Sequence, residues 1–148
     1  MITPCPDGWS KSVVYSESTL HQIAPFIGKL KSSIAGDLVK RFSREGQTVY
    51  DPFSGATSIG LEAWRLGRNV ITNDLSPYAS LLARTKLHPP ASLGRALKRV
   101  ESVAEEAETY LSCVVIEDVP PWVAEFFHPE TLREILAWVR ALKNQEDD

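Results

Sequence analysis

Two short stretches, Val49-Tyr50-Asp51-Pro52-Phe53-Ser54-Gly55-Ala56-Thr57 and Asn73-Asp74-Leu75-Ser76-Pro77, decide the fold. The first reads as a short strand, Thr48-Val49-Tyr50, that stops at Asp51-Pro52 because proline cannot donate to a ladder. Gly55 lies in the turn that follows, and Ile59 to Leu66 is a helix capped by Thr57 or Ser58 and ended by Gly67. Asn69 to Asn73 is a second strand closing at Asp74, and Ser76-Pro77 starts the next helix, Tyr78 to Leu87. Strand, helix and strand at this spacing form a β-α-β unit with parallel strands and a right-handed crossover.

The same residues suggest chemistry. A glycine between a strand and a helix lets backbone approach a ligand closely, and the helix start beyond it offers free N–H groups to an anionic group. Asp74 ends the second strand 19 residues after Gly55, where an acid can accept from two ribose hydroxyls. This is the logic of a nucleoside-cofactor site. Neither a Gly-x-Gly-x-x-Gly fingerprint nor a Walker A sequence is present.

Asp51-Pro52-Phe53-Ser54-Gly55-Ala56-Thr57-Ser58 resembles the first motif of the S-adenosylmethionine-dependent DNA amino-methyltransferases, Asp-Pro-Phe-x-Gly-x-Gly-Thr. Leu61-Glu62-Ala63, Leu66-Gly67-Arg68 and Asn73-Asp74-Leu75-Ser76-Pro77-Tyr78-Ala79 are similar to the same family. Weaker similarity reaches upstream to Ser18-Thr19-Leu20-His21 and Phe26-Ile27-Gly28-Lys29-Leu30, which in the family helps seat the methionine end of the cofactor. It also reaches downstream to Pro120-Pro121-Trp122 and Phe127 to Leu132.

The resemblance implies a Rossmann-like class I α/β fold with S-adenosyl-L-methionine as cofactor. Asp51 and Gly55, with Ser54 and Thr57 in the same turn, would border its methionine portion. Phe53 would touch the cofactor, Asp74 would hold the ribose and Leu75 would pack on adenine. Core packing is the competing role for Phe53 and Leu75. For His21 and Lys29, a solvated or capping role is expected ahead of cofactor contact.

Two departures from the family pattern stand out. The second motif glycine is replaced by Thr57, a β-branched residue that tolerates positive φ poorly and brings a Cβ toward the ligand. The family's catalytic tetrad, a polar residue followed by Pro-Pro-aromatic, has no counterpart. His88-Pro89-Pro90-Ala91 lacks the aromatic and Val119-Pro120-Pro121-Trp122 lacks the polar acceptor, so both pairs read as loop prolines. No catalytic residue is assigned.

The remaining sequence sets the frame. Helices are expected over Ile34–Phe42, capped by Ser32 or Ser33, over Ser92–Tyr110, and from His128-Pro129-Glu130 to about Leu142, with Cys113–Ile116 as a third strand. This gives an extended segment over 1–18, an α/β cofactor module over 19–90 and a helical segment with an acidic C-terminus over 91–148. A class I core has a seven-stranded sheet, so the parallel sheet here is incomplete and leaves an edge exposed.

The 148 residues are 43% hydrophobic and 24% charged, which fits one globular domain and argues against bulk disorder. Residues 1–100 hold 13 Lys and Arg against 7 Asp and Glu, while residues 101–148 hold 3 against 12. A basic front half is compatible with a nucleic-acid face, but solvated helix faces explain it as well. No apolar run is long enough for a membrane span, and no export signal is visible, so a cytoplasmic protein is expected. Cys5, Cys113 and the three histidines are too scattered for a disulfide framework or a zinc site.

The reading is the cofactor-binding portion of a site-specific DNA methyltransferase acting on adenine N6 or cytosine N4, expected to be inactive without a missing catalytic half. DNA would be met through a missing or separate region, and a second polypeptide is a possible source of the tetrad. The alternatives are a non-catalytic, truncated or decayed binding module and an RNA base methyltransferase fragment.

Overall fold

A computed structural model describes Trp9, residues 17–116 and residues 119–145. The expected extended segment therefore lies almost wholly outside the described residues. The chain divides into two compact units, Met1–Pro89 and Pro90–Asp148.

The first unit is α/β. After a 3-10 turn at Thr19–Gln22 come α1 (Ser32–Phe42), β1 (Thr48–Asp51), α2 (Ser58–Arg65), β2 (Asn69–Thr72) and α3 (Pro77–Leu87). Valine, isoleucine and tyrosine favour the extended backbone of both strands. They pair in parallel, with Val49 opposite Val70, Tyr50 opposite Ile71 and Asp51 opposite Thr72. α2 is the crossover, and it approaches the sheet closely because Gly60 has no side chain. A Cβ there would stand 2.9 Å from the methyls of Thr57 and Thr72 and 3.3 Å from Val70 Cγ1. Leu61 and Ala63 are fully buried on the same helix, as is Ala35 on α1, which packs beside it.

The caps follow local chemistry. Ser76 Oγ accepts from Ala79 N–H at the start of α3, with Pro77 in the first turn. At α1 the N-cap is Lys31, not Ser32 or Ser33 as expected. Ser32 Oγ instead donates to Glu17 Oε1 at 2.7 Å, and a side chain committed to that bond does not cap its own helix.

The second unit is helical: α4 (Leu93–Tyr110), α5 (Pro121–Ala124) and α6 (Pro129–Asn144). α4 and α6 run antiparallel around Val103, Ala107 and Ala141, with Tyr110 half-buried against them. Glu106 accepts from Asn144 and Gln145, and the Arg140 guanidinium lies 4.5 Å from the centre of the Tyr110 ring.

Two expectations are corrected. Cys113–Ile116 is not a strand; among the described residues the sheet has two strands, and Cys113 and Val114 N–H both donate to Tyr110 C=O. An apolar β-type run without a neighbouring strand extends the helix end into turns instead. Pro121 is not a loop proline but opens α5, with Pro120 as its cap.

The two-stranded sheet leaves both strands as edges. Tyr50 and Ile71, opposite one another, are exposed on the face away from α2. A hollow of about 770 Å³ runs beside β1, lined in part by Leu38, Val39, Phe42 and Val49. It lies against the sheet edge and not against the turn that follows β1.

Candidate cofactor-binding site

The seven expected site residues gather at the carboxyl ends of β1 and β2. Asp51 C=O accepts from Asn73 N–H, and Asn73 C=O accepts from Ser54 N–H, both at 2.9 Å. These bonds carry the strand pairing into the turns beyond it. Asp51 Oδ1 accepts from Phe53 N–H at 3.2 Å, which rounds the Pro52-Phe53 corner.

Asp74 ties the two strand ends together. Its Oδ2 accepts from Gly55 N–H at 2.7 Å and its Oδ1 from Ser76 N–H at 2.9 Å. The N–H groups of Ser76 and Gly55 hold its carboxyl below the usual aspartate range. A carboxylate oxygen can accept more than one hydrogen bond, so these two bonds do not exhaust the acceptor capacity of Asp74.

The turn is left-handed at two positions. Gly55 has φ +47 and Thr57 φ +62, and Thr57 is the sole non-glycine residue with positive φ among those described. Glycine adopts this backbone freely, whereas threonine is strained in it. The expectation that Thr57 puts its Cβ against the ligand is revised. Its side chain is fully buried and its methyl faces Gly60. The Oγ atoms of Ser54 and Ser58 and Oγ1 of Thr57 are buried without a hydrogen-bond partner.

Phe53 and Leu75 are 87% and 99% exposed, so neither packs in the core. They present bare apolar surface at the ends of β1 and β2. A cleft of about 210 Å³ lies over the turn, bounded by Phe26, Lys29, Asp51, Phe53, Gly55 and Ser58 among others. The Phe26 ring comes within 3.3 Å of where a Gly55 Cβ would stand, so the glycine is needed for this approach. Phe26 stacks on Tyr78 of α3 with ring centres 6.2 Å apart.

His21 is neither solvated nor a cap. It is fully buried, with Nε2 2.8 Å from Glu62 Oε1, the oxygen that also accepts from Arg65 at 2.8 Å. Burial raises the Glu62 pKa, but the hydrogen bonds from His21 and Arg65 outweigh it and hold the carboxyl below the usual range. Lys29 Nζ donates to His21 C=O at 2.7 Å, which holds the segment before α1 together, and the His21–Glu62 contact ties that segment to α2.

Sequence reasoning missed Lys86. It is 1% exposed and its Nζ donates to Ala56 C=O, inside the turn, at 2.7 Å. Burial pushes its pKa down, with Lys29 adding to the effect. The available signal was spacing: Ala79, Leu82, Ala83 and Lys86 fall on one stripe of α3, and all four are buried.

Among the described residues no group of three His, Cys, Asp or Glu side chains is placed to hold a metal, and no helix is long and apolar enough to cross a membrane.

A strand-end turn braced by an acid from the next strand is an arrangement that nucleoside-binding α/β proteins use. The chain belongs to the D12 class N6 adenine-specific DNA methyltransferase family, whose profile matches residues 27–120. It is also similar to the Type II methyltransferase M.MjaII of Methanocaldococcus jannaschii, at 32% identity over 68 residues. That match covers 46% of this chain and 13% of the relative. No solved structure matches the chain.

Proposed function

We propose that this chain is the S-adenosyl-L-methionine-binding portion of a Rossmann-like class I methyltransferase whose target is an exocyclic base amine of DNA, adenine N6. The observation that carries the reading is Asp74, whose carboxylate stands at the end of β2 and is held against the turn by the Gly55 and Ser76 N–H groups. That geometry suits the two hydroxyls of a ribose. Leu75 offers an apolar surface for adenine beside it, and Phe53 one for the rest of the cofactor. Asp51, Ser54, Gly55 and Lys29 bound the cleft where the methionine end would sit, and Thr57 supports the turn from below. When bound, the cofactor would supply an electrophilic sulfonium methyl.

The chain's own residues bind and orient. None of the 148 forms the polar-Pro-Pro-aromatic group that would accept hydrogen bonds from the target amine and stack on the flipped base. Methyl transfer therefore depends on that group being supplied by further sequence or by a second polypeptide, which would also bring the DNA contacts. The exposed edge of β1 and its hollow are consistent with an α/β sheet that continues.

A second reading, a non-catalytic binding module, draws on the missing tetrad and on the strained Thr57 where the family has glycine. Incubating the chain, together with a polypeptide carrying the tetrad, with labelled cofactor and either duplex DNA or tRNA separates the readings. Label in adenine of DNA supports the first. Label in RNA changes the substrate, and cofactor binding with no transfer to either supports the module.

A further inference from the structure

We propose that Lys86 is a positioning residue for the cofactor turn: its buried ammonium on Ala56 C=O fixes the Ala56–Thr57 peptide. The inference rests on the reading that this turn binds the cofactor.

A buried ammonium calls for an explanation. Among the described residues no carboxylate lies within ion-pair distance of Lys86, and Ala56 C=O is its hydrogen-bond acceptor. Desolvating a cation for one carbonyl is costly, and an apolar residue would complete the Ala79-Leu82-Ala83 stripe without that cost. What the lysine provides is directional. Ala56 lies between two left-handed residues, and Gly55 rests in that backbone freely. Thr57 does not rest there freely; its strain favours leaving the left-handed region.

Lys86 opposes that escape. With Ala56 C=O drawn down toward α3, Thr57 N–H donates to Ser54 C=O at 2.6 Å and Gly55 N–H faces Asp74. The turn's outward face is then the one that the cleft presents. Lys86 thus does by hydrogen bonding what the family's second glycine does by conformational freedom.

The test uses the full chain, isotope-labelled. In Lys86→Met, exchange of the Thr57 amide should quicken about tenfold while that of Ser43, bonded to Val39 in α1, stays within about twofold. Equal exchange at Thr57 in the two proteins overturns the proposal. Should the variant not fold, the unmodified chain decides: the Lys86 ammonium should give a slowly exchanging signal, and exchange as fast as that of surface lysines overturns it. S-adenosylhomocysteine should then bind Lys86→Met about tenfold more weakly than wild type, with a smaller loss in the Thr57→Gly background. Unchanged affinity, or an equal loss in both backgrounds, refutes the positioning role. If the wild-type chain binds no S-adenosylhomocysteine while Thr57 exchange still depends on Lys86, the cofactor reading fails and the hold on the turn stands.

Discussion

Gly55 N–H donates to Asp74 Oδ2 across 2.7 Å, joining the turn after β1 to the end of β2. The acid is therefore part of the turn's architecture as well as a candidate ribose ligand. Asp74→Ala should free the Gly55 amide, quicken its exchange, and weaken S-adenosylhomocysteine binding by roughly tenfold or more, as loss of charge-assisted bonds does. Asp74→Asn, which keeps one acceptor oxygen, should fall between the two. A folded Asp74→Ala protein with unchanged affinity would remove this residue from the site.

Thr57→Gly exchanges several effects. It relieves left-handed strain of about 1–2 kcal/mol and removes a buried hydroxyl without a partner. Against that, it loses a buried methyl and adds unfolded-state entropy, each about 1 kcal/mol. Urea unfolding should place the variant within about 1 kcal/mol of wild type. Binding of S-adenosylhomocysteine should be equal or tighter, and clearly weaker binding would count against the reading of this turn.

Gly60→Ala tests the close approach of crossover helix and sheet. The new Cβ would meet the methyls of Thr57 and Thr72 at 2.9 Å, side chains on the buried side of the unit. Overpacking should cost about 1–3 kcal/mol, read from the urea midpoint. Wild-type stability would mean that helix and sheet are less tightly apposed.

The strand-turn-helix-strand-helix order was legible because its punctuation is local: Pro52, Gly55, Gly67 and Ser76-Pro77 each act through their own backbone or a neighbour's. The third strand was not. Cys113-Val114-Val115-Ile116 has the right side chains, but strand formation depends on a partner that local sequence does not reveal. Lys86 and the His21–Glu62 pair were missed for a related reason. A charge reads as surface until tertiary packing supplies an acceptor, here Ala56 C=O and a carboxylate 41 residues away. The residues that meet at the strand ends were legible as a set through a family motif, whereas the inward turn of Thr57 depends on Gly60, whose lack of a side chain makes room for the methyl.

Acid should loosen the anchoring of the segment before α1. The Glu62 pKa is lowered in the folded state, so its stabilising contribution is complete above the ordinary glutamate value of 4.5 and is lost as pH falls through the depressed one. Urea midpoints measured from about pH 6 down to about pH 3 should drop in that window, less steeply in Glu62→Gln. Glu62→Ala, which leaves the buried His21 Nε2 without its hydrogen-bond partner, should cost about 1–3 kcal/mol at neutral pH. An identical pH profile in wild type and Glu62→Gln would contradict this assignment.

Whether the Asp51–Thr57 turn and Asp74 form a cofactor site is decided by calorimetric titration of the 148-residue protein with S-adenosylhomocysteine. Saturable one-to-one binding that Asp74→Ala weakens is the expected result. A chain shown folded by circular dichroism that gives no binding heat at any of several temperatures, and no shift in melting temperature with ligand, would contradict it.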